Sequence, residues 1–329
     1  MAQLHTAALH RQAKALLSRQ GDSPKRLVLL HTLLALGIPL LALLINILLD
    51  QQIAKTGGLG GMAARSTLET VQSTLELGIG ILLPFWEMGL LFAALRWRRG
   101  QRADKTHLTE GFRRFVNIFA LRLWSGILYI AVGFAALYVS SLIFSATPWA
   151  KPLTDLLASI GELPTPEQIP ATMTPELINQ LLTNMMPLYI IFGILYAAVC
   201  IFLFCRLRFA DFILLEGEGG IRSIAQSFQL TRGSCWQICK LELHFWWFYL
   251  LQALILVLCF GSEILTLLGV TLPIDPNLSF FLFYAVGLLL EGFLLWRYQG
   301  QRLTTYALAY DALQPQDPTI LPEDLLQEI

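Results

Sequence analysis

The sequence predicts an all-α fold, a polytopic membrane bundle of six transmembrane helices. Of its 329 residues, 55% are hydrophobic and 14% are charged, and the mean hydropathy is +0.60. A soluble domain normally carries roughly 25% charged residues. The apolar residues fall into blocks of about 17 to 25 residues, the length that crosses a hydrocarbon layer as a helix. Barrel strands would be about half as long and would alternate in polarity, and soluble cores rarely supply six such blocks.

The six blocks define a membrane domain between two more polar ends. We predict spans at residues 27–49, 77–95, 123–144, 187–205, 241–260 and 280–296. They form a membrane domain over residues 27–313, which follows an amphipathic cytoplasmic segment at 1–26 and precedes a flexible acidic tail at 314–329. The first segment suits a helix in the headgroup region, and it lacks the short apolar core and cleavage site of a signal peptide.

Basic residues set the predicted orientation. They concentrate in the first segment, in the second and fourth connections and after the last span, whereas the opposite connections hold only Lys55, Arg65 and Lys151. Basic residues favour the cytoplasmic side, so both termini are predicted to be cytoplasmic. This preference for the cytoplasmic side is enough to explain the basic residues, so we predict no binding of nucleic acid. We expect contacts with anionic lipid headgroups from Arg96, Arg98, Arg99, Arg113 and Arg114.

The second and fourth connections share a plan. Each leaves a span through Arg-x-Arg, passes Ala-Asp and enters a segment with helical apolar spacing. In the second connection this segment covers residues 108–119 and is predicted to lie on the inner membrane face. In the fourth, Ile221 and Phe228 belong to the apolar face of a helix, and Ser223 belongs to the opposite face, which is predicted to point to the cytoplasm. The shared plan suggests a duplicated hairpin.

Ionisable residues inside the predicted spans are the strongest functional candidates. Glu87 lies nine residues before Arg96, about 13 Å from the end of its span, and Glu291 lies at a similar depth in the sixth. Such groups normally face a bundle interior or a wet cavity. We expect an inward-facing polar vestibule, with interfacial ion pairs that join helices as the equal alternative. Its candidate residues are Glu87, Arg122, Arg206, Asp211, Glu242, His244 and Glu291.

The sequence contains few residues in patterns typical of catalytic or metal-binding sites. Cys235 and Cys239 share a helical face near His244, but a structural zinc site requires four ligands at recognisable spacing. No His-Glu-x-x-His motif, Walker sequence or nucleophile elbow occurs. We therefore predict no metal, no cofactor and no enzymatic activity.

Several stretches resemble a known group of proteins. They are RQAKALL before the first span, HLTEGFRRF after the second, and RFADFILLEGEGGIRSIAQSFQLTRG before an aromatic-rich fifth span. On these motifs, the chain from residue 10 to residue 310 resembles a group of bacterial multi-pass membrane proteins that carry a domain of unknown function. The last motif is similar to the membrane domain attached to some glycerophosphodiester phosphodiesterases. The resemblance implies a bacterial plasma membrane and no activity.

Two classes of function remain from the sequence. The first is a non-enzymatic scaffold or accessory subunit of a membrane assembly, which binds a membrane-protein partner or a second copy of itself. The second is a small transporter, favoured by Glu87, Glu291 and the repeated hairpin. An enzyme that acts on lipid headgroups is a third possibility.

Overall fold

The computed structural model describes residues 5–56, 58–160, 175–270 and 276–314, and every regular element in these ranges is helical. The helices are α1 (Thr6–Arg19), α2 (Ser23–Thr56), α3 (Gly58–Arg98), α4 (Glu110–Arg113), α5 (Phe115–Ser145), α6 (Ala150–Ile160), α7 (Pro175–Leu207), α8 (Ala210–Leu215), α9 (Gly220–Leu230), α10 (Cys235–His244), α11 (Trp246–Cys259), α12 (Gly261–Leu267) and α13 (Pro276–Leu313). A 3₁₀ helix, Lys105–Thr109, precedes α4. The prediction of an all-α protein is confirmed. The predicted tail, beyond Gln314, lies outside the described residues.

Among the described residues, four helical segments are long and apolar enough to cross a membrane, or five if one bent pair counts as a span. The four are Gly80–Arg98, Phe115–Ser145, Glu176–Leu215 and Leu278–Leu313. The bent pair is α10 with α11, which meet at 58°. The predicted span at 27–49 falls on α2. The structure describes the backbone of this helix but not all of its side chains.

The chain divides into two compact units. Unit 2, Ala120–Arg208, holds most of α5 together with α6 and α7. Within it, α5 approaches α7 where a Cβ at Gly133 would lie 3.5 Å from the Tyr196 ring. Phe134 and Ile194 are among its most exposed large apolar side chains. Apolar residues that lack protein neighbours over such lengths are typical of lipid-facing helices.

Unit 1, Met1–Phe119 with Phe209–Ile329, contains a densely packed region that we call the base. The base comprises residues 85–98, 105–113, 209–244 and 303–311. The apolar window in Gly80–Arg98 is 50% buried, whereas those in Phe115–Ser145, Glu176–Leu215 and Leu278–Leu313 are 17%, 11% and 22% buried. Trp97 and Tyr306 are fully buried. Part of the apolar sequence near the end of α3 therefore forms a protein core instead of a lipid-facing surface.

The chain after α3 turns and packs back along it. A Cβ at Gly89 of α3 would overlap the backbone of Leu108, and one at Gly111 would overlap the backbone of Phe85. The separate amphipathic helix predicted over 108–119 is therefore wrong. Leu108 belongs to the 3₁₀ helix and is buried, and α5 begins at Phe115, whose ring stacks on Phe85 at 4.6 Å.

The glycine-rich turn after α8 leads into α9 as predicted. Gly217 has φ +123°, a conformation that side-chain-bearing residues rarely adopt, so glycine is required there. The predicted faces of α9 need one correction. Ser223 is fully buried and Ile221 is 59% exposed. The small serine permits close packing of α9, and its hydroxyl donates to the Gly219 carbonyl at 2.9 Å. The side of the polar face that carries Ser223 therefore packs inward, whereas Arg222 and Gln229 are exposed.

Candidate functional site

A buried arginine lies at the centre of the base. The Arg98 side chain, 3% exposed, follows the buried Trp97 at the end of α3. Its Nη2 lies 2.7 Å from Glu216 Oε1, and its Nη1 lies 2.5 Å from Asp311 Oδ1. The guanidinium also lies over the Tyr310 ring, 5.4 Å from its centroid. Two carboxylates and an aromatic face thus neutralise and cover one buried cation.

Glu216, which follows the end of α8, connects this cation to the end of α13. Its Oε2 accepts hydrogen bonds from the Tyr310 hydroxyl at 2.8 Å and from Gln314 Nε2 at 3.0 Å. Burial raises the pKa of Glu216, but the Tyr310 hydrogen bond, the Arg98 charge and the Gln314 hydrogen bond outweigh it, so the net pKa is lowered. The carboxylate is therefore held ionised beside Arg98. We call Arg98, Glu216, Tyr310 and Asp311 the Arg98 cluster.

The five arginines predicted to contact lipid headgroups take different positions. Arg98 is buried in its cluster, and Arg114 donates to the Leu214 carbonyl at 2.6 Å. Arg96 contacts His107 and lies 3.3 Å from Gln101 Oε1. Arg99 and Arg113 have mostly exposed side chains, although each also contacts a glutamate. Exposed arginines are the ones available to headgroups, so the structure leaves Arg99 and Arg113 as the better placed of the five.

Two vestibule candidates, Glu242 and His244, belong to separate clusters on α10. Glu242 Oε2 accepts hydrogen bonds from the hydroxyls of Tyr249 and Tyr306, each at 2.6 Å. The guanidinium of Arg302 lies over the rings of Phe248 and Tyr249, 4.5 Å and 5.7 Å from their centroids. The acid at position 242 thus joins α10, α11 and α13 through hydrogen bonds.

His244 packs against the N-terminal helix. Its ring centroid lies 5.0 Å from that of His10, and the two rings are nearly perpendicular. His10 Nε2 also lies 3.0 Å from Gln301 Nε2 of α13. Burial lowers the pKa of His10, and the neighbouring charges of His244 and Lys14 lower it further. The neutral form of His10 is therefore favoured where α1, α10 and α13 meet.

The other vestibule candidates are spread over both units. Glu87 is exposed on α3, whereas Asp211 on α8 and Glu291 on α13 are half-buried. Arg122 is exposed and Arg206 is half-buried within unit 2. Arg206 lies over the Phe202 ring, 5.2 Å from its centroid. A single polar vestibule therefore stays a prediction.

Comparison with known proteins assigns no role to these residues. No protein-family model, curated protein or solved structure matches the chain. Function therefore has to be inferred from the residues themselves.

Sequence reasoning missed the partners of Arg98. In the sequence, Glu216 stands out only as part of a glycine-rich turn, and Tyr310 and Asp311 only as part of a helix after the last span. One signal is present: Tyr310 and Asp311 follow a run of small and apolar residues, Ala307 to Ala309, at a helix end. A carboxylate next to such a run, on a helix that packs into a core, needs a cation.

Proposed function

We propose that the protein is a scaffold or accessory subunit of a plasma-membrane assembly, with six spans and both termini in the cytoplasm. The asymmetric distribution of Lys and Arg supports the orientation. The resemblance of the fourth connection to a bacterial membrane group supports a bacterial plasma membrane. Four to five helices long and apolar enough to cross a membrane are consistent with this location.

The observation that carries the proposal is the Arg98 cluster. Arg98 of α3, Glu216 after α8 and Asp311 of α13 are far apart in sequence, and their charges compensate one another inside unit 1. A buried guanidinium whose two terminal nitrogens each pair with a carboxylate fixes the positions of the elements that carry these groups. A base with fixed helix ends presents a constant surface, which is what a docking subunit requires.

Affinity purification after cross-linking in intact membranes tests this role. We expect the wild-type protein to recover one dominant partner, or a second copy of itself, at fixed stoichiometry. Arg98→Met should abolish recovery because the docking surface loses its fixed base. Arg99→Met is the matched control, since Arg99 contacts the same Glu216 at 3.3 Å from an exposed position. Recovery of wild-type protein as a lone monomer without cross-links contradicts the proposal.

Cysteine labelling in a cysteine-free variant tests the proposed topology. A cysteine at Ile221, which is exposed on α9, should react with a membrane-impermeant maleimide only from the cytoplasmic side. A cysteine at Lys151 of α6 should react only from the exterior. Labelling of position 221 from outside would overturn the orientation.

The second candidate function is a small transporter. Glu291 favours it, because this half-buried acid lies within a long apolar helix. Reconstitution into proteoliposomes with proton- and cation-sensitive dyes tests it. Flux that disappears in Glu87→Gln and Glu291→Gln while both variants stay folded would support a transporter. Loss of stability without any flux phenotype would leave these acids with a structural role.

A further inference from the structure

A cavity of about 610 Å³ lies between α1, the start of α2 and α13, away from the Arg98 cluster. Its volume falls within the range of about 300 to 1,000 Å³ that small-molecule sites occupy. Three cationic side chains from three different helices line it, Lys14, Lys25 and Arg297, together with one carboxylate, Asp22. Leu17, Val28 and Trp296 supply apolar wall. All of these residues belong to unit 1.

Helical spacing explains why the polar residues converge. His10, Lys14 and Ser18 recur every four residues on α1, and Arg297 and Gln301 do so on α13, so each set forms one row. The contact of 3.0 Å between His10 Nε2 and Gln301 Nε2 joins the two rows at one end. One helical turn away, Lys14 and Arg297 line the cavity from opposite helices.

The cations of this cavity lack strong internal partners. Within the part of the chain that the structure describes, Lys14 and Arg297 form no ion pair with a carboxylate. Lys25 lies 3.7 Å from Asp22, and both side chains are largely exposed, so this pair is weak. The cavity differs in this respect from the Arg98 cluster, where two carboxylates neutralise the arginine.

One buried donor in the cavity wall also has no partner. When the Gln301 amide donates to His10 Nε2, neutral His10 carries its proton on Nδ1. His10 Nδ1 is buried and has no hydrogen-bond partner among the described residues. A small shift of the ring would let this N–H donate to an oxygen of a molecule in the cavity. The residues around the cavity therefore offer several donors and a net positive charge to an acceptor-rich anion.

The ends of two predicted apolar runs place the cavity near the membrane boundary, where lipid phosphate groups lie. The apolar run of the sixth predicted span ends at Trp296, and Arg297 follows it, while the run of the first span begins at Leu27 after Lys25 and Arg26. Both boundaries flank the cavity, whichever side of the membrane they face.

We propose that this cavity binds a phosphate group, carried by the headgroup of an anionic phospholipid or by a soluble phosphate ester. Lys14, Lys25 and Arg297 contact the phosphate oxygens, and Leu17, Val28 and Trp296 contact the glycerol and first acyl carbons when the ligand is a lipid. The site is independent of the proposed scaffold role and involves none of the residues of the Arg98 cluster.

Native mass spectrometry of the full-length, delipidated protein in mild detergent tests the site. Titration with dioleoylphosphatidylglycerol should give saturable binding of one lipid, and dioleoylglycerol, which lacks the phosphate, should not bind. A basic residue near the surface contributes about a fivefold change in affinity for anionic lipid, so the double variant Lys14→Gln/Arg297→Gln should bind roughly 25-fold more weakly. Lys14→Arg/Arg297→Lys, which keeps both charges, should recover most of the binding and shows that the weak binding is not misfolding.

The control removes two charges from the same helix outside the cavity. Arg11 and Arg19 lie on α1 but do not line the cavity, so Arg11→Gln/Arg19→Gln should bind as the wild type does. Competition with millimolar glycerol 3-phosphate distinguishes the two sources. Displacement of the lipid identifies a soluble phosphate ester as a ligand, and retention of the lipid identifies the headgroup. The proposal is overturned if Lys14→Gln/Arg297→Gln and Arg11→Gln/Arg19→Gln weaken binding equally, or if neither of these two variants weakens it. It is also overturned if dioleoylglycerol binds as tightly as the phospholipid.

Discussion

Arg98 and Glu216 join the end of α3 to the end of α8, with 2.7 Å between Nη2 and Oε1. Glu216 then accepts hydrogen bonds from Tyr310 and Gln314, so the contact extends to α13 and the residue after it. The packing of the base therefore depends on one arginine whose partners come from two other parts of the chain.

Replacing Arg98 should destabilise the protein strongly. Arg98→Met leaves Glu216 and Asp311 without their buried cation, and breaking a buried pair in this way costs about 3 to 5 kcal/mol. The value should fall at the lower end because Asp311 is 42% exposed. Arg99→Met, which removes a 59% exposed partner of the same Glu216, should cost less than about 1 kcal/mol. Thermal unfolding in detergent, followed by tryptophan fluorescence, measures both; equal shifts would contradict the central role of Arg98.

Stability should fall in acid because of Glu216. Its pKa in the folded protein lies below the usual 4.5, so its contribution is complete above about pH 4.5 and is lost as the pH falls through the lower folded value. Unfolding temperatures measured between pH 3 and pH 7 should show this loss in the wild type and a smaller one in Glu216→Gln. Glu218→Gln provides the control, since Glu218 contacts the exposed Arg222 at 3.7 Å. A wild-type acid profile in Glu216→Gln would refute the assignment.

Two glycines on α3 should respond oppositely to alanine. Gly89→Ala places a Cβ against the Leu108 backbone, which cannot move aside as a side chain could, so a loss of about 1 to 3 kcal/mol or more is expected. A Cβ at Gly80 would meet nothing within 4 Å beyond its own helical turns, so Gly80→Ala should be neutral or stabilising by about 0.5 to 1 kcal/mol. Chemical denaturation of both variants distinguishes them. If Gly89→Ala matches Gly80→Ala, the 105–113 segment does not lie against α3.

The attachment of α1 should weaken below neutral pH. The pKa of His10 is lowered from 6.5 in the folded protein, so the neutral ring contributes stability that is present above about pH 6.5 and is lost as the pH falls toward the folded value. Hydrogen exchange of α1, corrected for the intrinsic effect of pH, should increase between pH 7.5 and pH 5.5. His10→Gln should abolish this dependence, whereas His5→Gln, at an exposed position, should retain it. Unchanged pH dependence in His10→Gln would exclude His10 as its cause.

Local sequence patterns predicted the helices better than they predicted what the helices contact. The 123–144 block lies within α5 and the 187–205 block within α7, because a long continuous apolar run specifies a helix wherever it is buried. The 77–95 block shows the limit of hydropathy. Apolar residues in its second half, among them Phe85 and Met88, are buried by protein, whereas Leu77 is exposed. A transfer scale gives an apolar residue the same value whether it is buried in lipid or in a protein core.

The Arg98 cluster could not be predicted because no local pattern pairs its members. The positive-inside rule explained Arg98 as one of the basic residues on the cytoplasmic side, and no acidic partner was needed. The sequence therefore suggested that Arg98 contacts a lipid headgroup. Similarly, the pattern of α9 identified an amphipathic helix but not which face packs inward, since the two serines at 223 and 227 are small enough to be buried, and the Ser223 hydroxyl bonds to its own helix.

The long separation within the Arg98 cluster has a consequence for biosynthesis. Arg98 and the Ala307 carbonyl that it also contacts are 209 residues apart, and Asp311 follows still later. At translation rates of about 5 to 20 residues per second, roughly 10 to 40 seconds pass between the appearance of the arginine and that of its last acidic partner. During this interval the nascent chain must keep the arginine hydrated or held by the insertion machinery, so α3 can settle into its final place only after the last helix has emerged from the ribosome.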